Sequence, residues 1–304
     1  MPAPIALFVY SRADLTRRTL DALAANPLAD RSELIVFSDG PRKPDDGPKI
    51  EAVRNLVADV KGFARVEIVA APSNLGLAQS IIGGVTRVAG AFGRVIVLED
   101  DIETSPHFLA YMNDALDRYA GEARVAAVSG YHPPMDIALP ETFFQRDAEC
   151  WGWGTWQRAW SGFETDGKKL LAELKRQRLM HYFDQDGTIP YGDMLRGQIS
   201  GTNDSWAVRW RAHVILNNQL SLYPGRPLTR NIGNDGSGTH SGVSDFWGDA
   251  VSETTVTVER IPLIHSDVAF EGFKRFNRGN VNTGPTGKLA RLLYRLKRSR
   301  VFRR

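Results

Sequence analysis

Val95 to Glu103 reads VIVLEDDIE. Four apolar residues run directly into Glu99, Asp100 and Asp101. An apolar run without polar alternation predicts a strand buried on both faces. Three consecutive carboxylates at its end repel one another and hold protons more tightly unless something positive offsets them. A metal ion, an arginine or plain water would each serve, and the rest of the chain has to decide among them.

Upstream, the same rhythm repeats. Ile5–Tyr10 (IALFVY), Leu34–Phe37 (LIVF) and Val66–Ala70 read as buried strands. Between them, Arg12–Ala25, Lys49–Val60 and Leu75–Ala91 carry helical apolar spacing. Downstream, Ser105–Tyr119 reads as a helix with Pro106 in its first turn, and Val125–Ser129 as a fifth strand. Alternating strands and helices with uninterrupted apolar strands predict an α/β fold whose central sheet is mostly parallel and covered on both faces. After about Tyr131 the rhythm changes. CWGWGTWQRAW at Cys150–Trp160 is an aromatic and glycine cluster; Lys168–Met180 and Asp204–Asn217 read as helices, while Tyr191–Ser200 is ambiguous. Asn231–Gly242 (NIGNDGSGTHSG) is a polar loop, and Thr254–Val258 alternates as a strand would. These shifts divide the chain at 1–130, 131–250, 251–287 and 288–304.

The 304 residues are 42% hydrophobic and 24% charged, enough for a sizeable core. One cysteine, Cys150, excludes an internal disulfide framework, and it reads as buried rather than reactive. The first residues, MPAPIALFVYSR, lack a basic stretch ahead of a short apolar run, so a signal peptide or membrane span is not expected there and the chain reads as cytoplasmic. The net charge of +3 is uneven: after Glu271 there are eleven basic residues and no acid, leaving 27 basic against 35 acidic in residues 1–271. An acidic body argues against nucleic acid as a partner. Lys288–Arg304 (KLARLLYRLKRSRVFRR) places Leu289, Leu292, Leu293 and Leu296 on one helical face. That pattern suits docking on an anionic membrane surface, or packing of the leucines back on the body. No glycine-rich phosphate loop follows the early strands.

In open α/β sheets ligands bind beyond the carboxyl ends of the strands. Here those ends hold Ser11 and Arg12, Asp39, Asn74, and Glu99-Asp100-Asp101. Polar loops account for each singly, but less well for three acids in a row. Carboxylates at such a rim suit a substrate with phosphates, bridged by a divalent cation.

In YSRADLTRRTLDAL (Tyr10–Leu23), FSDG (Phe37–Gly40), VLEDDIETSPHFLAYM (Val97–Met112), the Cys150–Trp160 stretch and NDSW (Asn203–Trp206), the chain resembles the GT-A glycosyltransferases. It is most similar there to the N-acetylglucosaminyltransferase I type and its bacterial relatives, over most of residues 4–245. The resemblance implies a GT-A fold, a Rossmann-like sheet with an acceptor-side elaboration. It also implies transfer of a sugar from a nucleotide diphosphate sugar to a glycan or lipid-linked glycan. By it, Asp101 would hold Mn²⁺ or Mg²⁺, Asp100 would meet the ribose, Glu99 the donor sugar, and Asp39 the N3–H of uracil, although guanine would also suit a carboxylate acceptor. Arg12 would hold base, ribose or diphosphate, or is a surface residue of the first helical turn. Asp204 would be the general base of an inverting transfer; by itself it, or Asn203, reads equally as a helix cap. Trp151, Trp153 and Trp156 are either core or the wall of a sugar pocket, Trp153 being the candidate for the donor side. His240 is the histidine placed to close over donor. A lipid-linked acceptor would put the protein at the inner face of the membrane. A nucleotidyltransferase and a noncatalytic sugar-binding protein are the alternatives, and paired acids also serve glycosidases.

Overall fold

The computed structural model describes residues 1–233 and 251–280. His240, its loop from residue 234 onward and the basic tail Lys288–Arg304 lie outside the described residues. The first half alternates as its apolar runs predict: β1 (Ile5–Val9), α1 (Ala13–Ala24), β2 (Glu33–Ser38), α2 (Gly47–Ala58), β3 (Arg65–Ala70), α3 (Leu77–Phe92) and β4 (Arg94–Glu99). A short β5 (Ile102–Thr104) and α4 (Phe108–Arg118) lead to β6 (Val125–Ser129). Then come β7 (Thr142–Gln145), β8 (Trp153–Trp156), α5 (Gln157–Trp160), α6 (Gly167–Arg176), α7 (Met180–Phe183), α8 (Tyr191–Ile199), α9 (Trp206–Leu216), β9 (Leu220–Pro224), β10 (Thr229–Asn231) and α10 (Asp267–Asn280). The ambiguous Tyr191–Ser200 segment is thus helical.

Eight strands form one sheet in the order β3-β2-β1-β4-β8-β6-β9-β7. The mostly parallel expectation is corrected to a mixed sheet, with four parallel and three antiparallel pairings. One of the three antiparallel pairings is the edge strand β7 against β9, and the other two come from β8, which enters between β4 and β6 and runs against both. Gly154 lets it do so: a Cβ there would lie 2.8 Å from Met112 Cε and 3.1 Å from the Val95 carbonyl oxygen. Because β8 opposes both neighbours, β4 and β6 still point the same way, and the carboxyl ends of β1, β2, β3, β4, β6 and β9 share one rim.

Val95, Ile96, Val97 and Leu98 are fully buried, and their pleat sorts them between two faces. Ile96 and Leu98 pack with Leu20 and Leu23 of α1 and Leu109 and Met112 of α4. Val95 and Val97 pack with Ile81 and Val85 of α3 and Trp206 and Trp210 of α9. Full burial of each such aliphatic side chain stabilises by roughly 1.5–3 kcal/mol, which is why the strand tolerates three charges at its exit.

Thr254–Val258 forms no ladder. Val256 and Val258 bury their side chains in the core, which explains the alternation. Side chains satisfy the backbone instead: Thr257 N donates to Glu141 Oε1 at 2.9 Å, and Tyr119 Oη donates to the Glu259 carbonyl at 3.0 Å. The following helix, α10, sets Ala269 and Phe273 against Phe143 and Tyr223.

Candidate functional site

The positive group that offsets the acids is Arg12, which stands between β1 and α1 at the adjoining strand end. Its Nη2 bonds Asp100 Oδ1 and donates to Asp101 Oδ2 at 2.8 Å, and Nε donates to Asp100 Oδ2 at 3.3 Å. Asp100 and Asp101 are only 4% and 7% exposed. Burial works against the Arg12 charge, but Asp100 and Asp101 outweigh it and raise the guanidinium pKa further. Burial also raises Asp100, with Arg12 pulling it back down. Glu99 turns to the other face of the sheet, where the Trp206 side chain hydrogen-bonds it. Burial, then Asp101 and Asp100, raise its pKa, so the three acids do not share a full triple charge. Arg12 Nη1 is buried with no hydrogen-bond partner among the described residues.

Asp39, at the end of β2, is committed elsewhere. Its Oδ1 accepts from Gly40 N and Leu75 N, both at 2.8 Å, and Oδ2 from Asn74 Nδ2 at 2.9 Å and Gly76 N at 3.0 Å. Four donors fill the sites a carboxylate has. The residue therefore clamps the loop ahead of α3, and a base N–H could reach it only by displacing one of these bonds.

Asp204 reaches the same rim. Its Oδ2 lies 3.6 Å from where a Cβ on Gly76 would sit, which brings the entrance to α9 against the Asp39 clamp. The cap of α9 is Ser205, whose Oγ accepts from Val208 N at 3.2 Å, while Asn203 Oδ1 accepts from Ser205 N at 3.0 Å. Asp204 caps nothing. Its side chain is 58% exposed and its nearest cation, Arg209 Nη2, stands 3.8 Å away.

The donor-side assignment of Trp153 is corrected by its packing. The residue is 1% exposed, with ring centroids 5.6, 5.2 and 6.2 Å from those of Trp160, Trp206 and Trp210. An aromatic on a strand buried on both faces has no side left for a ligand; Trp153 instead supports Trp206 beneath Glu99. Trp156 is also core, its indole N–H donating to the Leu116 carbonyl at 3.0 Å. Trp151 is half-buried, with its ring 4.5 Å from that of Tyr131.

Two participants escaped the sequence reading. Gly233 follows Ile232, whose N donates to the Asp101 carbonyl at 2.8 Å. A Cβ on Gly233 would collide with Asp101 Oδ2 and lie 2.9 Å from Arg12 Nη1. Gly233→Ala should therefore displace the Arg12–Asp101 pair, seen as a lowered melting temperature; an unchanged melting temperature would mean the chain here moves aside freely. The second is Glu149, whose carboxyl burial pushes up to about 7. The groups that feel its charge are the Tyr131, Tyr191 and Tyr223 phenols and the Cys150 thiol, all themselves raised by burial first and so neutral near pH 7. A raised folded-state pKa gives stability that is whole below about pH 4, the unfolded value, and lost as pH rises through about 7. Glu149→Gln should remove that loss, so the variant should gain on wild type between pH 5 and 8 by at most about 1.4 kcal/mol per pH unit. Parallel denaturation curves across that range would refute it.

The resemblance implies a divalent cation. Among the described residues no group of three His, Cys, Asp or Glu side chains could hold one. Asp101 offers a single carboxylate, already facing Arg12. The residues fit a cation only as a shared site, with phosphate oxygens and water completing the shell.

No family model matches the chain, and no curated protein matches it significantly. Among solved structures it is similar to the mannosyltransferase PcManGT from Pyrobaculum calidifontis in complex with GDP-Man and Mn²⁺, at 14% identity over 72% of this chain and 71% of that one, with a TM-score of 0.39. It is similar also to S. aureus TarS 1–349, at 12% identity over 58% and 49% with a TM-score of 0.36. A UDP-glucose pyrophosphorylase complexed with UDP-glucose matches at 11% identity over 54% and 81%, with a TM-score of 0.30. At these scores the likenesses carry no argument, and the functional reading rests on the site.

Proposed function

We propose that the chain is an inverting glycosyltransferase that moves a sugar from a nucleotide diphosphate sugar, UDP-sugars favoured, to a hydroxyl of a glycan or glycolipid. The observation that carries this is the rim itself: a half-buried arginine with a nitrogen unpaired among the described residues, an acid beside it, and a separate exposed carboxylate on the entrance to α9 that caps no helix. Arg12 would bind the donor diphosphate through Nη1. Asp101 would hold a divalent cation together with the diphosphate oxygens, and such a cation supplies positive charge that stabilises the leaving phosphate. Glu99 would meet donor-sugar hydroxyls, and Asp100 would hold Arg12 in place and meet the ribose. Asp204 would accept the proton of the acceptor hydroxyl as its oxygen bonds to the anomeric carbon. The bond from that carbon to the diphosphate breaks from the opposite side, which inverts the configuration and leaves a nucleoside diphosphate and a glycoside.

Incubation with UDP- and GDP-sugars plus Mn²⁺ tests this: release of nucleoside diphosphate is expected. Release of pyrophosphate from a sugar phosphate and a nucleoside triphosphate would instead mark a nucleotidyltransferase. Binding without turnover, across a panel of glycan acceptors, would mark a sugar-binding protein.

Among the described residues no helix is long and apolar enough to cross a membrane. Membrane association would then fall to Lys288–Arg304, where eight of 17 residues are basic. Each adds on the order of 1 kcal/mol near an anionic leaflet. The full chain should float with anionic vesicles and stay down with zwitterionic ones, whereas a truncation after Thr286 should stay down with both. Equal behaviour of the two chains on anionic vesicles would remove the tail from this role.

A further inference from the structure

The strand that makes the centre of the sheet mixed also carries a new residue to the rim. β8 pairs with β4 in the register Val97 to Trp153. Followed backwards from Trp153, the chain passes beyond the end of β4, alongside Glu99, Asp100 and Asp101. The placement is borne out at Cys150, whose thiol feels the charges of Glu99, Glu149 and Asp101. Glu149 is the next residue out.

The backbone on both sides of Glu149 is pinned. Asp147 is buried against Arg211 and accepts from Gln185 Nε2 at 3.1 Å, and its carbonyl accepts from Ser221 Oγ at 2.5 Å. On the other side the Trp151 carbonyl accepts from Thr229 Oγ1 at 2.6 Å, and Gly152, at φ +74°, turns the chain into β8. A side chain held between two such anchors is presented in one place, as binding groups need to be.

The neighbouring acids each have a partner: Asp39 its four donors, Asp100 and Asp101 the guanidinium, Glu99 the Trp206 side chain, Asp147 the Arg211 guanidinium. Glu149 has no ion pair and no hydrogen bond to another side chain among the described residues, and it is only half-buried. Phenols from three elements feel its charge: Tyr131 just after β6, Tyr191 at the start of α8 and Tyr223 in β9. The Cys150 backbone N–H is the donor that lowers the Glu149 pKa, and burial outweighs it, so holding the charge there still costs free energy. A partner brought by a ligand would offset that cost. Hydroxyl groups on an apolar ring frame, beside aromatic walls, are what a carboxylate among tyrosines is suited to receive.

We propose that Glu149 is the acceptor-side sugar-binding residue: its carboxylate accepts hydrogen bonds from hydroxyls of the incoming saccharide on the rim beyond β6 and β9. This rests on the glycosyl-transfer reading above, but the binding can be tested apart from it.

The seven tryptophans can be replaced by 5-fluorotryptophan in the full chain, and the ¹⁹F line of Trp151 assigned with W151F. D-glucose, D-galactose, D-mannose and N-acetyl-D-glucosamine are then titrated to high millimolar concentration, with UDP or GDP plus Mn²⁺ titrated separately. At least one hexose should shift the Trp151 line saturably. In Glu149→Gln that affinity should fall about tenfold or more, the loss of a hydrogen bond to a charged acceptor. The melting temperature of the variant should hold or rise, which a merely structural glutamate would not allow. Glu149→Asp, which keeps the charge and draws it back, should weaken binding less than the glutamine. If no hexose moves the wild-type line, or if Glu149→Gln binds as wild type does, the assignment is overturned. A hexose response without any nucleotide response leaves Glu149 standing and removes the donor site, whereas a nucleotide response without a hexose response does the reverse.

Discussion

Asp204→Asn should lower transfer by about 10²–10⁴-fold, the usual worth of a positioned general base. The amide keeps the size of the side chain but cannot take a proton. Donor binding and melting temperature should stay as they are, because the α9 cap belongs to Ser205 and the contact with buried Arg209 is long, with Asp204 itself largely exposed. Ser205→Ala gives the contrast: it should cost about 1 kcal/mol of stability with the base untouched. Turnover of Asp204→Asn at the wild-type rate would exclude the assignment. Retained anomeric configuration in the product, read by NMR, would exclude single displacement altogether.

Asp101→Asn should keep the fold and lose most turnover. Arg12 would still hold Asp100, so the half-buried guanidinium is not left alone. The neutral amide would no longer draw a divalent cation to the leaving phosphate; loss of several kcal/mol of charge stabilisation corresponds to roughly 10²-fold or more in rate. Because Arg12 Nη2 occupies Asp101 Oδ2, wild type should take up Mn²⁺ weakly until a nucleoside diphosphate draws the guanidinium onto its phosphates. Electron paramagnetic resonance of Mn²⁺, with and without UDP, reads this directly. Full activity of Asp101→Asn, or of wild type in EDTA, would refute the role.

Periodicity made the first half legible. VIVL, IALFV and LIVF each announce a strand buried on both faces, and VIVL also announces where its charges must begin. The acids, Arg12 and the approach to α9 could be named because each sits at a break in pattern, where an apolar run stops or a helix starts. Partners could not be named. Arg12 and Asp100 are 88 positions apart, and no local pattern says that their strands are neighbours. Asp39 looked like a free acceptor because its four donors come from the next residue and from a loop at Asn74–Gly76.

Trp153 and Glu149 show the division most plainly. WGTW is too short and too rich in glycine to declare a strand, so its insertion between β4 and β6 follows from Gly154 fitting against Val95 and Met112, contacts remote in sequence. That one insertion made the centre of the sheet mixed, buried Trp153 and brought Glu149 to the rim. Sequence determined which residues must leave water and where the charged chain resumes, because burial period and helix entry are local properties of the backbone. Tertiary structure decided which charge meets which, because strand order, and with it every partner across the rim, is set by packing between segments that the chain separates.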